Sequence, residues 1–158
     1  MKVASVSEIK NELVKLPPKQ LLEHCLRLSR FKKENKELLS FLLFDAGDEQ
    51  SYIETIKLEM DEAFVELNSS WYLAKKGLRK ILRSISKYSR FVSQKESEVE
   101  LLLHFASLMK QNGFAEKKYK ALTNLYETQL AKLSKLIDLV HEDLQYDYRK
   151  QLHQLQSK

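Results

Sequence analysis

Three glycines, two prolines and one cysteine are all that 158 residues hold of the types that turn, break or cross-link a chain. Each scarcity excludes something. A β-rich fold needs turn residues at intervals of roughly 8–12 positions, and Gly47, Gly77, Gly113 and the Pro17-Pro18 pair are too few and too scattered to supply them. A phosphate-cradling glycine loop is excluded on the same ground, and no P-loop, GxGxxG, GxSxG or HExxH occurs. A lone Cys25 permits no internal disulfide and no CxxC pair for zinc. Lying among Leu21, Leu22 and Leu28, it is expected to be a packed thiol in a reducing compartment. The longest apolar run, Phe41-Leu42-Leu43-Phe44, is far below the ~20 residues that span a bilayer. Charges interrupt every apolar run of residues 1–15, so no signal peptide is visible and a cytoplasmic protein without a transmembrane segment is expected.

What the chain does contain is Leu, Lys and Glu at helical spacing. The reading is an all-α single domain over 1–158, of seven to eight mostly antiparallel helices, either an irregular bundle or a short α-solenoid-like array of helical hairpins. Ser5 and Glu8 stand at capping-box spacing for a first helix over 5–15. Pro18 suits the first turn of a second, over 18–30, expected to bury Leu21, Leu22, Cys25, Leu26 and Leu28. A third, over 33–44, ends so densely apolar that burial on several sides is expected. Asp45-Ala46-Gly47-Asp48 is the clearest loop, with Asp48 placed to cap a fourth helix over 49–67 on Tyr52, Ile53, Ile56, Met60, Ala63, Phe64 and Leu67. A sixth, from Ser93, buries Val99, Leu102, Leu103, Phe105, Ala106 and Met109 and stops at Asn112-Gly113. The remainder, 115–157, has neither Gly nor Pro and runs as one long helix or as two separated by a kink around His141 to Asp143. Its near-heptad of Leu130, Leu133, Leu136, Ile137, Val140 and Leu144 allows a homo-oligomer through this C-terminal helix.

Charge is distributed unevenly. From Ser69 to Lys95 there are eight basic residues and no acid, and outside that stretch 19 basic residues face 22 acidic ones. On a wheel of about 100° per residue, a fifth helix over 70–91 puts Ala74, Leu78, Ile81, Leu82, Ile85 and Tyr88 on one side. Lys75, Lys76, Arg79, Lys80, Arg83, Lys87 and Arg90 share the other with Tyr72, while Trp71 falls on the apolar side and is expected in the core. Ser69 or Ser70 caps its start. Gly77 costs about 1 kcal/mol against alanine inside a helix, which points either to a close approach to its backbone or to a cost that the helix simply tolerates. The preceding segment is the opposite: Asp45 to Glu66 carries eight acids and Lys57 alone. A short 68–70 connection would bring Glu62 and Glu66 toward the first cations, so the sequence leaves open whether the basic face is free or already neutralised.

A bundle di-metal site needs Glu-x-x-His on two helices, and only Asp138-Leu139-Val140-His141 approaches it, so no metal, cofactor or catalytic residue is assigned. An enzyme reading would gain only from a pocket in which a histidine and carboxylates converge. Glu8-Ile9-Lys10-Asn11-Glu12-Leu13 before a turn and a helix resembles the SAP-type DNA-binding motif in outline; Pro17-Pro18 stands where that motif has glycine turns. The function expected is a non-enzymatic interaction or scaffold protein whose basic helix meets an acidic protein surface. The alternative is sequence-non-specific binding of RNA or DNA phosphates by the same residues: Tyr72, Lys75, Lys76, Arg79, Lys80, Arg83, Lys87 and Arg90.

Overall fold

A computed structural model of the chain describes residues 3–67, 70–92, 94–116 and 118–157. Among them are eight α-helices and one π-turn, and no strand. The helices are α1 (Val6–Leu13), α2 (Pro18–Phe31), α3 (Lys33–Ser40), α4 (Glu49–Val65), α5 (Trp71–Tyr88), α6 (Lys95–Gln111), α7 (Lys120–Ile137) and α8 (Glu142–Gln156). The chain is all-α. It packs as two compact units, Met1–Ala46 and Gly47–Lys158, divided at the Asp45–Asp48 loop.

In the N-terminal unit local chemistry sets the helix limits. Ser5 and Glu8 form a reciprocal capping box at the start of α1. Hydrogen bonds from the Ser5 backbone and hydroxyl hold the Glu8 carboxyl below its ordinary range. The Pro17-Pro18 turn opens α2 with proline at the first turn. After α3 the helix widens into a π-turn over Phe41–Asp45, closed by the Ala46 amide on the Phe41 carbonyl at 2.8 Å.

Burial here departs from the sequence expectation. Cys25 is exposed, as are Leu22, Leu26 and Leu28, and Leu21 is only half-buried. Of Phe41-Leu42-Leu43-Phe44, only Phe41 is buried. The reason is size: helices of 8, 14 and 8 residues are too little chain to lay a second layer over the flanks of the first.

The C-terminal unit does have a layered core, and α6 is its axis, packed on α4, α5, α7 and α8. Hence α6 buries residues around most of its circumference: Val99, Leu101, Leu102, Leu103, Phe105, Ala106 and Met109, with Ser97. Asp48 caps α4 through the Ser51 amide at 3.0 Å, and Ile53, Ile56, Met60 and Phe64 face inward. Residue Ser93, expected to cap α6, lies outside the described residues, as does Ser69; Gln94 and Ser70 hold the two N-cap positions. At the other end of α6, Gly113 at φ +73° lets the Phe114 amide reach the Met109 carbonyl (2.9 Å) and its own amide reach the Lys110 carbonyl (3.2 Å). That is a Schellman-like stop, which needs a left-handed residue.

The C-terminal stretch is two helices, broken at Asp138–His141. No glycine or proline makes the break. The His141 ring nitrogen accepts from the Asp143 amide, and the Gln145 side-chain amide donates to the Val140 carbonyl at 2.9 Å. Leu122, Tyr126, Leu130, Leu133, Leu136, Ile137 and Val140 are buried within this same chain. Gly77 sits where α5 approaches the end of α4: a Cβ there would collide with the tip of the Leu67 side chain, so of the two readings the close approach is the one present.

Candidate anion-binding interface

The α5 helix divides as its sequence does. Ala74, Leu78, Ile81 and Ile85 are buried against the core, and Leu82 and Tyr88 are half-buried. On the far side Lys76, Arg79, Lys80 and Arg83 are exposed or half-buried at most, and Lys75 is half-buried. Among the described residues no ion pair reaches any of these five, and Glu62 and Glu66 make none. The acidic helix is adjacent, but among the described residues its carboxylates form no ion pair with Lys75 to Arg83. Two of its carboxylates are engaged elsewhere: Glu54 takes Lys57 at 2.7 Å and Asp61 takes His104 at 2.7 Å.

The last two cations of the row are different. The Lys87 ammonium lies 4.5 Å from the Tyr88 ring centre, and Arg90, beyond the end of α5, donates from Nε to the Ser86 carbonyl at 3.2 Å. Both have further partners within the chain, which leaves Lys75 to Arg83 as the open part of the row.

Tyr72 stands at the head of that cationic face. Tyr72, Lys76, Arg79 and Arg83 follow one another at spacings of four, three and four residues, so they line one side of the helix over ~16 Å. The Tyr72 side chain is 66% exposed and its ring meets Trp71 edge-on at 6.0 Å. Trp71, expected in the core, is 42% exposed and stacks on Tyr119, with ring centres 5.9 Å apart and planes at 18°. It sits in the first turn of α5, where no earlier turn of the helix covers it. Lys118 lies 5.4 Å from the Tyr119 ring centre, and Lys120 opens α7. Helical periodicity puts Tyr72 on the side of the cations, and its side chain is exposed there. The periodicity carries no signal that Tyr119, far along the chain on the approach to α7, completes an aromatic ledge beside it.

No protein-family model matches the chain, and no curated protein or solved structure matches it.

A second polar cluster joins α4, α6 and α8. Lys57 donates to Glu54 (2.7 Å) and Glu100 (2.9 Å), the Tyr148 hydroxyl is 3.4 Å from Glu100, and His104 Nε2 is 2.7 Å from Asp61. Lys57, Glu100, His104 and Tyr148 border an open depression of about 350 Å³ that Ser107 and Gln151 also line. A histidine and carboxylates do converge here, a meeting across elements that local spacing could not reveal. Yet each charged group is paired inside the chain. Burial pulls the Lys57 ammonium down, and its two carboxylate partners outweigh this and leave it raised. Among the described residues no three His, Cys, Asp or Glu side chains are placed to hold a metal ion.

Tyr148 reports on this cluster. Burial first, then the Glu100 charge, pushes its phenol up from 10.0 to about 12. A phenol raised on folding contributes stability that is complete below the unfolded pKa and is lost as pH rises through the folded one. Stability should therefore fall between pH ~10 and ~12, and Tyr148→Phe should lessen that fall and remove a late phenolate step from the ultraviolet titration. An alkaline profile identical in the two proteins would show that Tyr148 does not ionise late.

Proposed function

We propose that this chain is a non-enzymatic interaction protein that docks an anionic partner on the outer face of α5. One observation carries the reading: five helix-face cations from Lys75 to Arg83 have no carboxylate partner among the described residues, while the reverse of the same helix is sealed in the core. Like charges one turn apart (Lys75 and Arg79, Lys76 and Lys80, Arg79 and Arg83) destabilise a helix by about 0.2–0.5 kcal/mol each. Folding alone is better served by mixing in glutamate, so a row kept free of acids fits a ligand outside the chain. The partner offers fixed anions, carboxylates of an acidic protein surface or phosphates of a nucleic acid. A cytoplasmic setting accords with an exposed, single Cys25, for which the chain holds no disulfide partner. The non-enzymatic reading is preferred because the cluster of Lys57, Glu100, His104 and Asp61 has its side chains partnered within the chain.

The test is a titration of the protein with fluorescently labelled polyglutamate and with labelled oligonucleotides at about 50 and 200 mM salt. With four cations engaged, the affinity for nucleic acid should fall roughly 50- to 150-fold over that range, since log K drops by about 0.7–0.9 per contact per decade of salt. Absence of binding to every polyanion at the lower salt concentration would sink the proposal.

A further inference from the structure

We infer that the partner on α5 is a single-stranded nucleic acid, with its bases stacked on the Trp71–Tyr72–Tyr119 ledge and its phosphates running along Lys76, Arg79 and Arg83. The inference rests on the anion-binding reading above and adds the class of ligand. An acidic protein surface needs only the cations. It gives no use for a tyrosine exposed in line with them, nor for a tryptophan held out of the core on a second tyrosine. Large exposed aromatic rings carry a solvation cost that stacking with a base removes, and every base has a π-face to offer.

The geometry suits a strand whose bases are unpaired. Tyr72 begins the row and the cations follow it along the helix axis, so a chain with one or two bases on the ledge lays its next phosphates over Lys76 and then Arg79 and Arg83. Lys118 beside Tyr119 extends positive charge to the other edge of the ledge. A duplex hides its base faces in the stack and can use the cations alone. No Asn or Gln occurs between Ser69 and Ser93 to read a base edge, which makes the site tolerant of sequence.

Trp71 is the single tryptophan of the chain, so its emission is a reporter built into the ledge. The probes are a mixed-sequence DNA strand of about 12 nucleotides, its duplex, and polyglutamate, each at low salt. The strand should quench Trp71 emission and bind more tightly than the duplex; polyglutamate should leave the emission unchanged. Tyr72→Ala should lower single-strand affinity roughly 5- to 100-fold, Tyr72→Phe should keep it, and neither should alter duplex or polyglutamate binding. Tyr72 is exposed, so both variants should fold. Unchanged single-strand affinity in Tyr72→Ala, or binding without quenching, overturns the stacking inference and leaves the anion-binding function standing. Polyglutamate bound more tightly than any oligonucleotide also overturns it, in favour of an acidic protein. Failure of all three probes to bind removes both.

Discussion

Arg79→Glu combined with Arg83→Glu should abolish polyanion binding at moderate salt and at the same time make the protein slightly more stable. The two effects have opposite signs because one row of charges serves both. Each reversal removes one counterion-releasing contact and adds a repelling carboxylate, so about 100-fold or more in affinity is lost at ~50 mM salt. Stability moves the other way. Repulsion between Lys75 and Arg79, and between Arg83 and Lys87, gives way to attraction, because the new carboxylate at position 79 faces Lys75 one turn before it and the one at 83 faces Lys87 one turn after. Each such opposite-charge pair is worth about 0.2–0.5 kcal/mol. Neither arginine is buried, and neither makes an ion pair among the described residues, so nothing packed is disturbed. Anisotropy titration reads the first effect and thermal unfolding by circular dichroism the second. Retained affinity would move the partner off α5; a sharp loss of stability would mean that the two arginines hold the helix in place.

Phe105→Ala should be among the most damaging single substitutions in the chain. Phe105 is fully buried on α6, edge-on to Phe64 at 5.6 Å, and Phe64 in turn leans on Phe114 at 6.4 Å. Truncation removes about 3–5 kcal/mol through lost transfer free energy and the cavity left among helices that cannot close over it. With a typical total stability of about 5–15 kcal/mol, this should lower the melting temperature by roughly 10–20 °C. Phe44→Ala is the control. The ring is just as large, but the residue is 81% exposed, and its loss should change stability by no more than about 0.5 kcal/mol. Equal effects of the two substitutions would contradict the burial pattern.

The contrast between these two phenylalanines marks where local pattern ends. The apolar spacing of α4, α5 and α6 named Ile53, Ile56, Met60, Phe64, Leu78, Ile85, Val99, Phe105 and Met109 as inward-facing, and all are buried. The same spacing in α2 and in Phe41-Leu42-Leu43-Phe44 misleads, because a stripe is buried only where a second layer exists to cover it, and the N-terminal unit has too little chain to build one. Glu8, Asp48 and Gly113 were legible because a cap is satisfied within a few residues of itself. The break at Asp138–His141 was only half legible, since polar side chains mark the gap between α7 and α8 where glycine or proline would have announced it.

From the order of residues alone came the helical class, most helix limits, and the division of α5 into a sealed side and a cationic side; each depends on contacts three or four positions apart. Tertiary structure decided the rest: that Asp61 meets His104, that Trp71 leaves the core for Tyr119, and that Lys75 to Arg83 have no acidic partner among the described residues. The reason is range. Helical periodicity is set by hydrogen bonds within one turn, whereas the partner of a charge or a ring is whichever helix the packing of α4, α6 and α7 brings beside it.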